Sequence, residues 1–331
     1  MHLPRPSRFH LAAFSGVVLL VALALYYGLD GVTQAFAEVG WGIALVVIVR
    51  FGQVAFSGVA WQAVLLAPTA WWVCPLLRWV REAINVLLPV AQVGGDIVGA
   101  RLLARQGVKG PVAAASVLAD LLVQVSTQLV FSLLGLGLFL VSTGDGETAL
   151  WLGASLLLFA FGVIGFFVLQ RWGGIGWVER RIVAAATKNG WSVPGGIVGL
   201  ADSLAATHRA PGRLAVAAAI HMGIWIFGAL EVWIVLAFLG HPIGFAEALV
   251  IESLSHAARG ALFIVPGGVG VQEAAIVAIA AAYGLPPQLA LAVGLVKRVP
   301  DLVLGIPGLA IWQALEFGRL RPVPVHQGPE R

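Results

Sequence analysis

Charge is what this sequence has least of. Only 11% of its 331 residues are Asp, Glu, Lys or Arg, against about 25% in an average soluble domain, and mean hydropathy is +0.94. Such a chain cannot clothe a globule in polar side chains, which excludes a soluble fold. Cysteine is nearly missing too. Cys74 is the only one, so no intrachain disulfide and no cysteine metal cluster can form, and the redox compartment stays open. Catalytic signatures are absent: no H-E-x-x-H, no G-x-S-x-G, no aspartate-rich prenyl-transfer motif, and no G-K-[ST] after the glycine-rich stretches. "VGGD" at 93–96 matches the G-x-G-D of intramembrane aspartyl proteases only loosely, because Val93 stands where the first glycine belongs. Neither an enzyme nor a cofactor is expected.

What fills the sequence instead is long apolar runs. They recur at 11–29, 41–66, 111–141, 148–170, 214–239 and 288–317, each near or beyond the roughly 20 residues a helix needs to cross the hydrocarbon core. In lipid these runs must be helices, since a lone strand leaves its backbone groups unpaired. Two more apolar regions, about 72–106 and 244–283, are interrupted by proline and glycine. The basic, apolar start "MHLPRPSRFHLAAFSGVVLL" lacks a small-x-small cleavage site before "YYGLDG" and is read as an uncleaved first helix.

A net charge of +4 and a pI near 9.7 do not point to nucleic acid once the charges are placed. With the N-terminus in the cytoplasm of a bacterial inner-membrane protein, Arg5 and Arg8 lie inside, as do Arg78, Arg81, Arg101, Arg105 and Lys109 around the first broken region. The loop 171–212 with Arg213 just after it and the C-terminal segment after 317 supply the rest of sixteen cytoplasmic cations out of 20. Outer loops hold Asp30, Glu38 and "STGDGE" and no basic residue, as the positive-inside rule requires. That count holds if both broken regions are re-entrant hairpins, one from each side; two-crossing hairpins are the alternative. The expected fold is an all-α integral membrane protein with about six spanning helices and two inverted re-entrant or broken hairpins, in a single membrane domain. In 171–212, Val178, Ile182 and Ala186, then Ile197, Leu200 and Leu204, recur at helical spacing, which suits short helices on the inner leaflet or an ordered connector. Trp41, Trp71, Trp72 and Trp151 suit interfacial anchors.

Sliding the sequence by 177 residues lays Pro89 on Pro266 and Asp96 on Glu273, with Gly107 on Gly284 and Leu118 on Leu295. The shared order of broken segment, proline, glycines, acid, short helix, Gly turn and long helix predicts a repeat, about 41–141 and 214–317. Its copies enter from opposite faces, an inverted plan common in secondary transporters. At the tips, Pro89, Gly94 and Gly95, then Pro266, Gly267, Gly268 and Gly270, would break each helix inside the membrane. A half-helix starting there offers free amides to an anion, and Asp96 and Glu273 sit in its first turn, either as helix-start acids or as proton or cation sites.

Seven further charges interrupt apolar segments: Arg50, Glu82, Asp120, Glu231, Arg259, Lys297 and Arg298. Each unpaired one would cost on the order of 3 kcal/mol by insertion scales, so they should face one another. The register pairs Asp120 with Lys297 and Glu82 with Arg259, which predicts cross-repeat ion pairs. Arg259, Arg50, Lys297 and Arg298 are the candidates for an anionic head group, unless they only hold the halves together. His221 and His256 can titrate, although a lone membrane histidine more often packs.

"LLPVAQVGGDIVGARLL" with "AASVLADLL", and "FIVPGGVGVQEAAIVAIAAAYGLP" with "LALAVGLVKRVPDLVLGIPGL", resemble the lysylphosphatidylglycerol synthase transmembrane region, a flippase-like membrane family, over about 10–318. Within it the chain is most like the hopanoid-biosynthesis-associated HpnL type. The resemblance implies lipid movement, with a membrane lipid, hopanoid or anionic phospholipid, as partner. It implies no synthase activity, since the chain stops soon after Glu316. The family often has D-R after the first hairpin, whereas Asp120 precedes Leu121. A membrane scaffold for lipid-biosynthesis enzymes is the alternative, and an unrecognised lipid-modifying enzyme a third.

Overall fold

In the computed structural model, residues 34, 36–88, 93–189, 196–261 and 269–317 are described. They form twelve helices, with no strand among them: α1 Gly42–Val64, α2 Val73–Leu87, α3 Gly94–Arg105, α4 Gly110–Thr143, α5 Gly146–Arg171, α6 Gly174–Asn189, α7 Leu200–His208, α8 Pro211–Phe238, α9 Phe245–Ala261, α10 Val271–Ala281, α11 Pro287–Val296 and α12 Val299–Glu316. The first expected span, both chain ends, Pro89, Pro266, Gly267 and Gly268 lie outside the described residues. The fold is the expected all-α membrane architecture. α1, α4, α5 and α8 are each long and apolar enough to cross a bilayer.

Local sequence sets the helix boundaries. Pro111 and Pro287 occupy first-turn positions of α4 and α11, where the missing N–H is no loss. Gly144 ends α4 with φ +67°, a left-handed turn that favours glycine. Asp145 then caps α5 by accepting from Thr148 N at 3.0 Å, and that hydrogen bond holds its carboxyl below the usual range.

Contacts give each helix its direction. α1 and α8 run antiparallel: Gly42 packs on the Phe238 ring, Arg50 meets Glu231, and Arg213 Nη1 donates to Leu65 O at 2.9 Å. α4 and α9 are antiparallel as well, through Gln128 to His256 O and Ser132 to Ser253 O. So are α2 and α12, where Trp79 Nε1 donates to Leu304 O at 2.7 Å. The bundle therefore has two distinct ends. One carries Arg101, Arg105, Lys109, Arg171, Arg180, Arg181, Lys188, Arg209 and Arg213; the other carries Glu38, Asp145, Glu147 and Glu247 and no Lys or Arg among the described residues. These are the basic and the acidic end.

α2 and α3 both start and finish their hairpin at the basic end, since Val73 packs in the cluster around Trp61, Val64 and Leu65 while Arg101 reaches Glu316 at the end of α12. α9 and α10 do so at the acidic end, where Tyr283 meets Ser142 at 2.9 Å and Leu285 packs with Val39 and Leu239. The hairpin arms thus enter from opposite ends. Helix starts keep the 177-residue offset: Gly94 and Gly110 correspond to Val271 and Pro287, the first residues of α10 and α11. α6 and α7 lie at the basic end as two short helices, tied where Glu179 accepts from Gly199 N and Ala201 N.

Two expectations change. The run 288–317 is not one helix but α11 and α12, broken at Lys297 and Arg298, because both cations turn inward to buried carboxylates and Pro300 cannot donate to the preceding turn. Arg78 and Arg81 are not cytoplasmic. They sit on α2 inside the bundle, both buried.

Close approach of helices depends on single glycines. A Cβ at Gly58 would overlap the Pro75 backbone between α1 and α2, and one at Gly135 would overlap Ser253 Oγ between α4 and α9. Gly58→Ala and Gly135→Ala should therefore each cost about 1–3 kcal/mol of stability, seen as a lower melting temperature in detergent. Gly137→Ala, with open space around it, should be neutral or stabilising. In a Cys74→Ser background, single cysteines at Ala246 and Ala282 should react with an impermeant maleimide from one side of the membrane, and those at Lys109 and Arg209 from the other, with the basic pair cytoplasmic.

Candidate functional site

The interior holds two networks of buried charge at different depths. Asp120 lies ten residues into α4, about 15 Å from the basic end, whereas Glu231 lies seven residues before the close of α8, about 10 Å from the acidic end.

The network nearer the basic end centres on Arg81 and Asp120. Arg81 Nε and Nη2 both donate to Asp96 Oδ1, at 2.9 and 2.6 Å, and Nη1 donates to Asp120 Oδ2 at 3.2 Å. Its guanidinium lies 4.6 Å over the Trp61 ring, a favourable stack for a delocalised cation. Arg78 also reaches Asp120 Oδ2, at 3.1 Å, and donates to Gln124 at 3.0 Å. The other Asp120 oxygen is 3.0 Å from His221 Nε2. α3 approaches α2 closely enough that a Cβ at Gly95 would collide with the Arg81 backbone, and the Gly95 amide donates to Asn85 Oδ1 at 2.8 Å.

The second network centres on Glu231. Its Oε2 accepts from Arg50 Nη2 and from Lys297 Nζ, each at 2.8 Å. With the Gln53 amide oriented to satisfy both neighbours, Nε2 donates to Glu231 Oε1 at 3.1 Å. Lys297 Nζ also donates to Glu252 Oε2 at 2.7 Å, and Glu252 Oε1 is 3.0 Å from His256 Nε2. Beside it, Arg298 Nε donates to Glu273 Oε1 at 2.5 Å, Arg298 Nη1 is 3.4 Å from Asp301, and Glu273 Oε2 accepts from the Gly270 amide at 2.7 Å.

A cleft opens beside these networks between α1, α2 and α12. Arg50, Trp79, Glu82, Asp301 and Gly305 line it. Phe51, Leu302 and Val303, chain neighbours of its lining residues, are exposed. Arg50 Nε is buried without a hydrogen-bond partner among the described residues. Within electrostatic range of Arg259 lie Arg298, Asp301, Glu82 and Arg50, yet Arg259 makes no hydrogen bond or ion pair among the described residues.

The structure redistributes the expected site residues. Asp120 meets Arg78, Arg81 and His221, not Lys297, and Lys297 meets Glu231 and Glu252. Glu82 pairs with Arg78 at 3.6 Å, not with Arg259. The reason is the inversion itself: residues equivalent by an inverted repeat occupy opposite halves of the bundle, and only those next to the axis can touch. Lys297, Asp96 and Glu273 are engaged on every side. Nor are the half-helix starts open anion sites throughout, because Asn85 and Glu273 already take the Gly95 and Gly270 amides. Of the charged residues, Arg50, Glu82 and the unexpected Asp301 line the cleft; Arg298 contacts Asp301, and Arg259 lies within electrostatic range of all four. Glu252 was not anticipated; its signal is the spacing Glu252, His256, Arg259 along one apolar helix.

Breaking a buried pair strands its partner, at about 3–5 kcal/mol. Asp120→Asn and Lys297→Met should each cost about that much stability, seen as a lower melting temperature in detergent. The double exchange Asp120→Lys with Lys297→Asp should be no better than its worse single variant, because the two positions belong to separate networks.

No curated protein and no solved structure matches this chain. The profile of one family, described as "Lysylphosphatidylglycerol synthase TM region", matches residues 11–308, which takes in both hairpins, both charge networks and the cleft. The chain therefore belongs to the lysylphosphatidylglycerol synthase TM region family, and is a multi-pass membrane protein linked to lipid metabolism.

Proposed function

We propose that the protein moves a lipid between leaflets, with the head group passing through the cleft lined by Arg50, Glu82 and Asp301 and contacting Arg259. In this reading the lipid is carried and not chemically changed. The observation that carries it is Arg259: a cation in the interior without an ionic partner among the described residues, next to a cleft whose Arg50 Nε also lacks an acceptor. Desolvated guanidinium groups with open donors favour phosphate or carboxylate oxygens, which they grip through charge-assisted hydrogen bonds.

Three features support transport over static binding. Exposed Phe51, Leu302 and Val303 stand next in the chain to cleft-lining residues, so in this reading acyl or polycyclic tails stay in the bilayer while the head group enters. The hairpins reach the interior from opposite ends, the arrangement from which alternating access can be built. Each hairpin is locked by polar contacts that can exchange partners, Arg81 with Asp96 and Arg298 with Glu273. The likeness to the HpnL type makes a hopanoid lipid the first cargo to examine, beside anionic phospholipid, in a bacterial inner membrane with both termini in the cytoplasm.

The test is leaflet exchange in proteoliposomes holding the full chain and a trace of fluorophore-labelled phosphatidylglycerol or hopanoid, read by dithionite quenching. The wild-type protein should speed exchange over protein-free vesicles. Arg259→Ala should slow it at least tenfold, equivalent to about 1.4 kcal/mol, while leaving the melting temperature unchanged. Wild-type vesicles no faster than empty ones for either lipid would end the transport reading.

A further inference from the structure

From Arg171 to Arg213 the chain carries six cations against two acids, Glu179 and Asp202, a net +4 that equals the net charge of the whole protein. This segment joins the two repeats and contributes α6 and α7 at the basic end. α7 is held by the bundle: Leu204 and Thr207 are buried, and Leu204 packs in the cluster around Trp61 and Val117. α6 is tied to α7 by one face. There Glu179 accepts from the Gly199 and Ala201 amides at 2.7 and 3.0 Å. Trp177, Arg181, Ala184 and Lys188 recur at helical spacing on the opposite face, and all four are exposed.

The turn before α6 sets the level at which that face lies. α5 ends at Arg171, and Gly173, at φ +82°, turns the chain so tightly that a Cβ at Gly174 would collide with Leu169. Leu169 belongs to the last turn of an apolar span. α6 therefore starts beside the end of that span, where hydrocarbon gives way to head groups. Trp172 and Trp177, 76% and 55% exposed, mark the same level, as indoles do at a membrane interface. The Arg181 guanidinium lies 5.2 Å over the Trp177 ring, so a cation and an aromatic share one patch. Among the described residues, the side chains of Arg171, Arg180, Arg181, Lys188 and Arg209 make no hydrogen bond or ion pair.

We infer that the outer face of α6 docks on anionic phospholipids of the leaflet at the basic end, with Arg181 and Lys188 on lipid phosphates and Trp177 between head groups. A guanidinium stacked on an indole keeps its outer donors for phosphate oxygens, two of which it can grip at once. Exposed cations at head-group level draw acidic lipid from the leaflet, an attraction that salt screens. A zwitterionic lipid offers the same phosphate but brings its own cation, which cancels the long-range part of that attraction. A soluble acidic partner would match the charge, but not two exposed indoles set at the end of a span. The surface is separate from the cleft, which is lined from α1, α2 and α12, and it does not depend on any lipid being moved.

The experiment puts an NBD fluorophore on Ala184→Cys in a Cys74→Ser background, with the full chain in phosphatidylcholine bilayers. It compares quenching by phosphatidylglycerol and by phosphatidylcholine, each carrying a nitroxide high on one acyl chain. Phosphatidylglycerol should quench about threefold more strongly at equal content, and the preference should fade as salt rises from about 0.05 to about 0.5 M. Arg181→Gln with Lys188→Gln should bring the two lipids level, whereas Arg259→Ala should leave the preference intact. Quenching by neither lipid would show that α6 faces water or a soluble partner, and would overturn the inference. So would equal quenching by both lipids before the cations are replaced, survival of the preference in the double variant, or its loss in Arg259→Ala. Should the double variant fail to fold, the comparison of the two lipids on the native face, with its salt dependence, still decides.

Discussion

Glu231 accepts from Arg50 of α1 and from Lys297 at the break between α11 and α12, through a single carboxylate oxygen at 2.8 Å from each. Much of the architecture depends on that shared anion. α1 and α8 are the leading helices of the two repeats, and their antiparallel contact runs from Gly42 against Phe238 to Arg213 against Leu65. Apolar packing alone gives such a pair little register in lipid, because the tails solvate the helices as well as the helices solvate each other. A buried carboxylate with two cationic partners does give register, since at low dielectric each ångström of misplacement is expensive. Lys297 carries the same constraint onward to Glu252 and so to α9, the entering arm of the second hairpin.

The chain's course follows from this clamp. For Lys297 and Arg298 to reach Glu231, Glu252 and Glu273, the last crossing must give up a continuous helix, which it does between Val296 and Val299. The first repeat solves the equivalent problem without a break. Its α4 runs uninterrupted past Asp120, because there the cations Arg78 and Arg81 come from the hairpin arm and the acid from the long helix. Charge polarity across the hairpin–helix contact is therefore reversed between repeats, and only the second copy has a proline, Pro300, just after its charged residues.

Much of this was legible from residues. Hydrophobic length finds α1, α4, α5 and α8 to within a few residues, since a segment that must satisfy its own backbone in lipid has few alternatives. The 177-residue offset predicts the starts of α10 and α11 from those of α3 and α4. Charge placement was less legible. Arg78 and Arg81 look like a cytoplasmic cluster because positive-inside counting weighs loops and takes no account of a hairpin arm that carries its cations inward. The pairing of Asp120 with Lys297 fails because a linear register shows which positions are equivalent, not which are adjacent; under inversion those are different sets. Glu252 needed the fold, since only the packing of α9 against α4 and α8 shows that it shares Lys297 with Glu231.

The polar starts of the two half-helices then take on a different meaning. Broken helices inside a membrane bundle invite the reading that their amides await a ligand, but here the chain supplies its own caps: Asn85 to Gly95 and Glu273 to Gly270. Asp96 is held on one oxygen by Arg81 and met on the other by Asn85 Nδ2 at 3.4 Å, and Glu273 is held on its second oxygen by Arg298. A side chain bound on both oxygens cannot meet an incoming group without first letting go of one, so these acids respond to a ligand through their arginines. Of those two, Arg81 is sealed under Trp61, while Arg298 sits within electrostatic range of Arg259 and contacts Asp301 at the edge of the cleft. The two hairpins differ in this respect, an asymmetry that follows from which arginine the tryptophan covers: Arg81 is packed away under Trp61, and Arg298 stands beside the cleft's Asp301.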